Sequence, residues 1–127
     1  MKKVVLAALA LATVQVSAQE LPMPSPTATL NQRVGLTDVT IEYSRPSVKD
    51  RAIFGELVPY GELWRTGANA NATISFTTDV DVNGNEVPAG KYSLLTIPNE
   101  GSWTIILNKK TDMWGTSGYS EDEDVLR

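Results

Sequence analysis

Polar and apolar residues alternate with a period of two along most of this chain, and no segment shows the 3.6-residue period of an amphipathic helix. In DVTIEY, residues 38–43, the three apolar side chains fall on one face of an extended strand and the polar ones on the other. The alternation recurs at 72–82, and apolar strands follow at 89–98 and 102–109. The pattern predicts an antiparallel all-β sandwich. Its expected inward residues are Val39, Ile41, Tyr43, Ile74, Phe76, Leu95, Ile97, Ile105 and Leu107.

The Asn83-Gly84 pair predicts a tight hairpin, because both residues tolerate a positive φ. The same segment also fits the first half of a calcium-binding loop, with Asp79, Asp81 and Asn83 at alternate positions. Gly90 occupies the position that should supply a bidentate glutamate. We therefore favour the hairpin, and we expect neither a metal site nor a cofactor.

The first residues have the pattern of a bacterial signal peptide. A basic start, MKK, precedes the apolar run Val4–Ala12, and small residues at 16–18 fit a cleavage site near Ala18. The apolar run is shorter than the roughly 20 residues of a membrane span, so we expect no span. The sequence predicts a signal peptide over residues 1–18 and a periplasmic or secreted mature protein.

The remaining chain divides into a short lead-in and one domain. Three prolines at alternate positions make residues 19–26 an extended lead-in, and residues 27–127 are expected to form a single β-sandwich domain. The final DVLR has no turn character, so we expect this domain to be C-terminally incomplete. A missing strand would leave a sheet edge exposed, which favours self-association.

The composition removes several classes of function. The chain has no cysteine and no histidine, which excludes Ser-His-Asp and Cys-His mechanisms within it. Acidic residues outnumber basic ones by 15 to 11, and loss of Lys2 and Lys3 with the signal peptide would make the charge more negative. Because this charge repels phosphate backbones, we expect no nucleic-acid partner.

Residues 45–71 form a long connection without a regular pattern. Its apolar content argues for an ordered segment, and these side chains are expected to plug one end of the core. They are Ile53, Phe54, Leu57, Val58 and Trp64. The connection also contains Asp50, Glu56 and Glu62, which could act as paired carboxylates in a small hydrolase of envelope glycans.

The polar stretch that ends this connection is the candidate binding site. Arg65 offers a planar fork of donors, and Asn69 an amide that can bond either a ligand or its own turn. Arg65 would otherwise pair with an internal acid such as Glu42 or Asp79. Both uses stay open at this stage. The candidate ligand-binding residues are Arg45, Tyr60, Trp64, Arg65, Thr66 and Asn69.

The segment YSRPSVKDRAIFGELVPYGELWRTGAN, residues 43–69, resembles the family called domain of unknown function 2911. The resemblance continues through VPAGKYSLLTIP and WTIILNK, and it implies an exported bacterial envelope protein without an assigned activity. Many relatives have a histidine where this chain has Thr27 and an acidic residue where it has Ala70. The family's polar signature falls on Arg45, Pro46, Arg51, Tyr60, Trp64, Arg65, Thr66, Gly67, Ala68 and Asn69.

The expected function is a non-catalytic binding or structural module of the cell envelope. Arg45 and Arg65 are both expected at loop ends, where two arginines repel one another unless a carboxylate or another anion lies between them. An acidic small molecule, glycan or peptide is therefore the expected partner. The small carboxylate-dependent hydrolase is the alternative.

Overall fold

Eight β-strands and one turn of 3-10 helix form the regular structure of residues 19–127, the part of the chain that the computed structural model describes. The predicted signal peptide lies outside these described residues. The strands are β1 Thr27–Val34, β2 Thr37–Ser44, β3 Ala72–Phe76, β4 Val80–Val82, β5 Asn85–Val87, β6 Gly90–Pro98, β7 Trp103–Asn108 and β8 Asp124–Leu126, with the 3-10 turn at Glu121–Glu123. Over residues 19–127, no helix has the length and apolar character needed to cross a membrane.

The strands form two antiparallel sheets, which confirms the all-β prediction. Six strands lie in the order β1-β2-β3-β6-β7-β8, and β4 pairs with β5 in a separate hairpin. The hairpin turns at Asn83 and Gly84, whose φ angles of 52° and 80° are those of a type I′ turn. The predicted Asn-Gly hairpin is therefore confirmed. Asp81 accepts a hydrogen bond from the backbone N–H of Gly84 at 2.8 Å.

The β4–β5 hairpin packs on one face of the large sheet and forms the first hydrophobic core. Val87 is fully buried there against Phe76, Tyr92 and Leu107. This face continues beyond the hairpin as a less covered surface, where Ile41 and Tyr43 are only half-buried. The second layer is thus a single hairpin that covers part of the sheet.

A second core lies on the opposite face, under the loops that follow β2 and β7. Leu95 and Ile106 are fully buried and face the same side, since they are cross-strand partners, and Met113 packs on them. The prediction that Ile105 points into the core is wrong, because its side chain shares the face of Leu107 but takes no part in the first core and is 45% exposed. Alternation identified the two faces of β7 but did not identify which one is covered at this point.

Hydrogen bonds around Asn108 attach the last strand to the sheet. The Asn108 side chain is fully buried, and its Nδ2 donates to Asp124 Oδ1 at 2.7 Å and to the backbone carbonyl of Ser120 at 2.9 Å. The Tyr119 hydroxyl donates to the second oxygen of Asp124 at 2.6 Å, and Arg127 pairs with Asp124 at 3.3 Å. The network holds β8 beside β7 despite the register shift after Leu107.

Candidate functional site

The long connection, residues 45–71, is fixed to the sheet at several backbone positions. Trp64 and Thr96 exchange two backbone hydrogen bonds, of 2.8 and 3.0 Å, which adds a short bridge beside β6. Nearer its end, the N–H of Asn71 donates to the carbonyl of Met113 at 3.2 Å. These bonds place the residues between Trp64 and Asn71 at one end of the sheet.

Aromatic packing fixes the orientation of Trp64. Its ring makes edge-to-face contacts with Phe54, at a centroid distance of 5.9 Å, and with Trp103, at 6.1 Å. Phe54 and Trp103 also pack on one another at 4.9 Å. The expectation that the apolar residues of the connection plug the core is wrong for Phe54 and Leu57, which are 46% and 54% exposed, whereas Val58 is buried. Phe54 instead packs on Trp64 at the surface, and Leu57 lines the same cavity as Trp64.

A cavity of about 470 Å³ opens between this connection and the lead-in. Its polar lining includes Lys49, Arg51, Arg65 and Asn69, and the ring of Trp64 forms part of the apolar wall. No carboxylate side chain lines it among the residues that the structure describes. Three cationic residues therefore meet in one concave surface, which we call the cationic cavity.

None of these three cations forms an ion pair within residues 19–127. Arg65 is half-buried, its Nε is buried without a hydrogen-bond partner, and its guanidinium forms no ion pair. Arg51 donates only to the backbone carbonyls of Val48 and Ser47, at 2.9 and 2.7 Å, which fixes the local turn without neutralising the charge. A buried donor without a partner costs roughly 1–3 kcal/mol, so the folded chain keeps Arg65 in place at an energetic cost.

The internal acids expected to pair with Arg65 have other partners. Glu42 accepts a hydrogen bond from Lys91 Nζ at 2.8 Å and forms an ion pair with it. This hydrogen bond and the positive charge of Lys91 lower the pKa of the Glu42 carboxyl. Asp79 accepts a hydrogen bond from the backbone N–H of Ala89 at 2.7 Å. The hypothesis that either acid neutralises Arg65 is therefore wrong.

A second cavity, of about 420 Å³, adjoins the first on the open sheet face. Its walls are largely apolar and include Ile41, Tyr43 and Leu94. The two cavities share three lining residues, which are Pro46, Trp64 and Gly67. We call the second one the apolar cavity.

Gly67 sits where the connection passes closest to β2. A methyl group added at this position would lie 3.0 Å from the backbone oxygen of Ser44, which is closer than side chains normally approach. Thr66 and Asn69, on either side, adopt left-handed backbone conformations, with φ of 57° and 59°. Such conformations are costly for residues other than glycine and concentrate at functional sites.

Five of the six candidate residues line one cavity or the other. Arg65 and Asn69 line the cationic cavity, Arg45 and Thr66 line the apolar one, and Trp64 lines both. The sixth, Tyr60, lines neither. Its ring packs over Gly55, where an added methyl group would lie 2.8 Å from the ring carbon Cε2.

Sequence reasoning did not identify two of the cationic-cavity residues as binding residues. Lys49 and Arg51 flank Asp50, and the three read as an ordinary charged loop. Lys49 and Asp50 have positive φ angles of 49° and 54°, which form a sharp turn in the loop. The two cations that flank Asp50 in this loop, Lys49 and Arg51, both line the cavity. The sequence feature that could have identified Arg51 as a binding residue is its position within the polar signature of the family.

The carboxylates of the hydrolase alternative lie elsewhere on the connection. Asp50, Glu56 and Glu62 are all exposed, and none of them lines the cationic or the apolar cavity. Hydrolysis by paired carboxylates needs two of them on opposite sides of a bound sugar. Neither cavity supplies this arrangement.

Comparison with known proteins gives a family without an assigned activity. No curated protein and no solved structure shows a significant match to the chain. A family model described as a protein of unknown function, DUF2911, matches residues 25–127, which include every strand of the two sheets and all lining residues of both cavities except Pro24. The chain belongs to the DUF2911 family.

Proposed function

We propose that this protein is an exported bacterial binding module of the cell envelope, which holds an acidic small molecule, glycan or peptide without transforming it. The observation that supports this proposal is the half-buried Arg65, without an acidic partner in residues 19–127 and in one cavity with Lys49 and Arg51. Like charges in a partly desolvated site repel one another, and a bound anion removes this cost. The planar fork of Arg65 matches a carboxylate in particular.

Calorimetric titration of the mature protein tests this proposal with matched pairs of probes. Glucuronate is compared with glucose, and the tripeptide Ala-Ala-Ala with its C-terminal amide. Because a hydrogen bond to a charged group contributes roughly 1.5–3 kcal/mol, at least one anionic probe should bind about tenfold or more tightly than its neutral partner. The difference should shrink as salt is added.

The variant Arg65→Met keeps an unbranched, apolar side-chain stem and removes the charged guanidinium. It should lose the preference for the anionic probe. The matched control is Arg33→Met on β1, where the exposed Arg33 pairs with Asp38 at 3.3 Å; this variant should bind as the wild type does. Equal binding of anionic and neutral probes, or full binding by Arg65→Met, would contradict the proposal.

Export rests on the pattern of residues 1–18 and has its own test. The mass of the protein recovered from its native cells should correspond to a chain that starts at Gln19. Recovery of the protein with Met1 still attached would contradict this part of the proposal, and leave the binding site untouched.

A further inference from the structure

We infer that the ligand is an amphipathic carboxylate, whose charged group lies in the cationic cavity and whose apolar group lies in the adjoining apolar cavity. This inference rests on the proposed function and narrows the class of ligand. It follows from the contrast between two neighbouring cavities of about 470 and 420 Å³, each within the range of small-molecule sites.

Three residues, Pro46, Trp64 and Gly67, form the boundary between the cavities. Trp64 lines both, and its ring is held between Phe54 and Trp103 while its backbone is bonded to Thr96 on β6. Gly67, which also lines both, lacks the side chain that would otherwise fill the space beside Ser44. A ligand that passes this boundary can therefore contact both cavities at once.

The two linings differ in chemistry. Lys49, Arg51 and Arg65 line the cationic cavity, and the Nε of Arg65 has no hydrogen-bond partner in residues 19–127. The apolar cavity is lined mainly by apolar side chains, such as the half-buried Ile41 and Leu94 on the open sheet face, and Arg45 is the charged residue in its lining. A ligand with only a carboxylate leaves the apolar cavity exposed to water. A ligand with only an apolar group leaves the charges of the cationic cavity without a counterion.

Titration with octanoate, acetate and octanamide tests the inference. Each buried methylene contributes about 0.8 kcal/mol, which is about fourfold in affinity. Octanoate should therefore bind about sixtyfold more tightly than acetate if three methylenes enter the apolar cavity. Octanamide, which has the same chain without the charge, should bind about tenfold or more weakly than octanoate.

The variant Ile41→Thr makes the apolar cavity polar while it keeps a β-branched residue on the strand. It should weaken octanoate binding several-fold and leave acetate binding unchanged. Val34→Thr is the control, because Val34 is 61% exposed on β1 and lines neither cavity. Its affinity for both probes should equal that of the wild type.

The outcomes separate this inference from the proposed function. If acetate and octanoate bind equally and both require Arg65, the anion-binding function stands and the amphipathic ligand is refuted. Equal effects of Ile41→Thr on both probes would also refute it. If octanoate and octanamide bind equally, or if binding does not depend on Arg65, the inference and the proposed function both fail.

Discussion

Replacement of Arg65 by methionine should leave the stability of the protein nearly unchanged, although the residue is half-buried. Within residues 19–127 its side chain takes part in no hydrogen bond or ion pair that the substitution could break. Methionine retains most of the apolar stem and removes a buried, unpartnered Nε, whose cost is roughly 1–3 kcal/mol. It also relieves repulsion from Lys49 and Arg51. We expect a change in the free energy of unfolding within about 1 kcal/mol, in either direction.

Asn71, at the end of the same connection, provides the contrasting substitution. Its Nδ2 donates to Ser93 Oγ at 2.6 Å and to the Ala72 carbonyl at 3.0 Å, and its Oδ1 accepts from the N–H of Met113 at 3.2 Å. The side chain is buried, so Asn71→Ala leaves these partners unsatisfied. The expected loss is about 2–4 kcal/mol. For a domain of this size, that lowers the melting temperature by roughly 10 to 25 °C.

Thermal unfolding followed by circular dichroism, with urea titrations beside it, measures both variants. Arg65→Met should melt within about 8 °C of the wild type, and Asn71→Ala well below it. If Arg65→Met is destabilised as strongly as Asn71→Ala, the guanidinium has a structural partner in the folded protein. The reasoning that assigns Arg65 to ligand binding would then lose its basis.

Three further predictions concern other parts of the fold. Asn108→Ala should cost about 2–4 kcal/mol and speed amide exchange in β8, because it removes the bonds to Ser120 and Asp124; unchanged exchange in β8 would contradict this role. The Glu42–Lys91 ion pair lowers the pKa of the Glu42 carboxyl in the folded state. The ion pair therefore stabilises the fold at pH values above the ordinary pKa of a glutamate, and this stabilisation is lost as the pH falls through the lowered pKa of folded Glu42. Both side chains are about half-exposed, so the ion pair should contribute about 1 kcal/mol or less to the free energy of unfolding. In Lys91→Gln, stability measured by urea titration should fall less steeply with decreasing pH than in the wild type. The edge strand β1 exposes Leu30, at 53%, so light scattering should detect association that rises with concentration and that Leu30→Lys reduces; a monomer at all concentrations would refute edge pairing.

The sequence predicted the alternating and apolar strands because each of them carries local information, whereas β8, Asp124–Leu126, was not predicted. Period-two alternation placed β2 and β3, and the Asn83-Gly84 pair placed the hairpin between β4 and β5. Coverage of a sheet face depends instead on distant segments. Ile105 and Ile106 are equally apolar in the sequence, and Ile106 is the buried one because Met113, Leu63 and Tyr119 pack on its face of the sheet.

The sequence marked Arg65 and Asn69 as candidate binding residues, but it did not identify their partners or the further cavity residues Lys49 and Arg51. Arg65 stood out as a cation in an uncharged polar stretch, yet pairing with Glu42 was an equally reasonable expectation. The register of β3 and β6 decides between the two, because it places Lys91 on the same face of the sheet as Glu42. Lys49 could not be identified from the sequence, since its place in the cavity depends on a turn with two positive φ angles.

The position of the long connection in the chain also has a consequence for folding kinetics. Three of the five pairings in the large sheet join strands that are linked by a short turn or by the β4–β5 hairpin. The strands β7 and β8 are linked by residues 109–123, and β2 meets β3 only after the longer connection, residues 45–71, has closed into a loop. Closure of a long loop is entropically slow, so this pairing is expected to form after the local hairpins. Both cavities are lined by that loop. The binding surface should therefore be complete only in the last stage of refolding. A bound ligand should lower the rate of unfolding, and it should leave the rates of the early refolding phases unchanged.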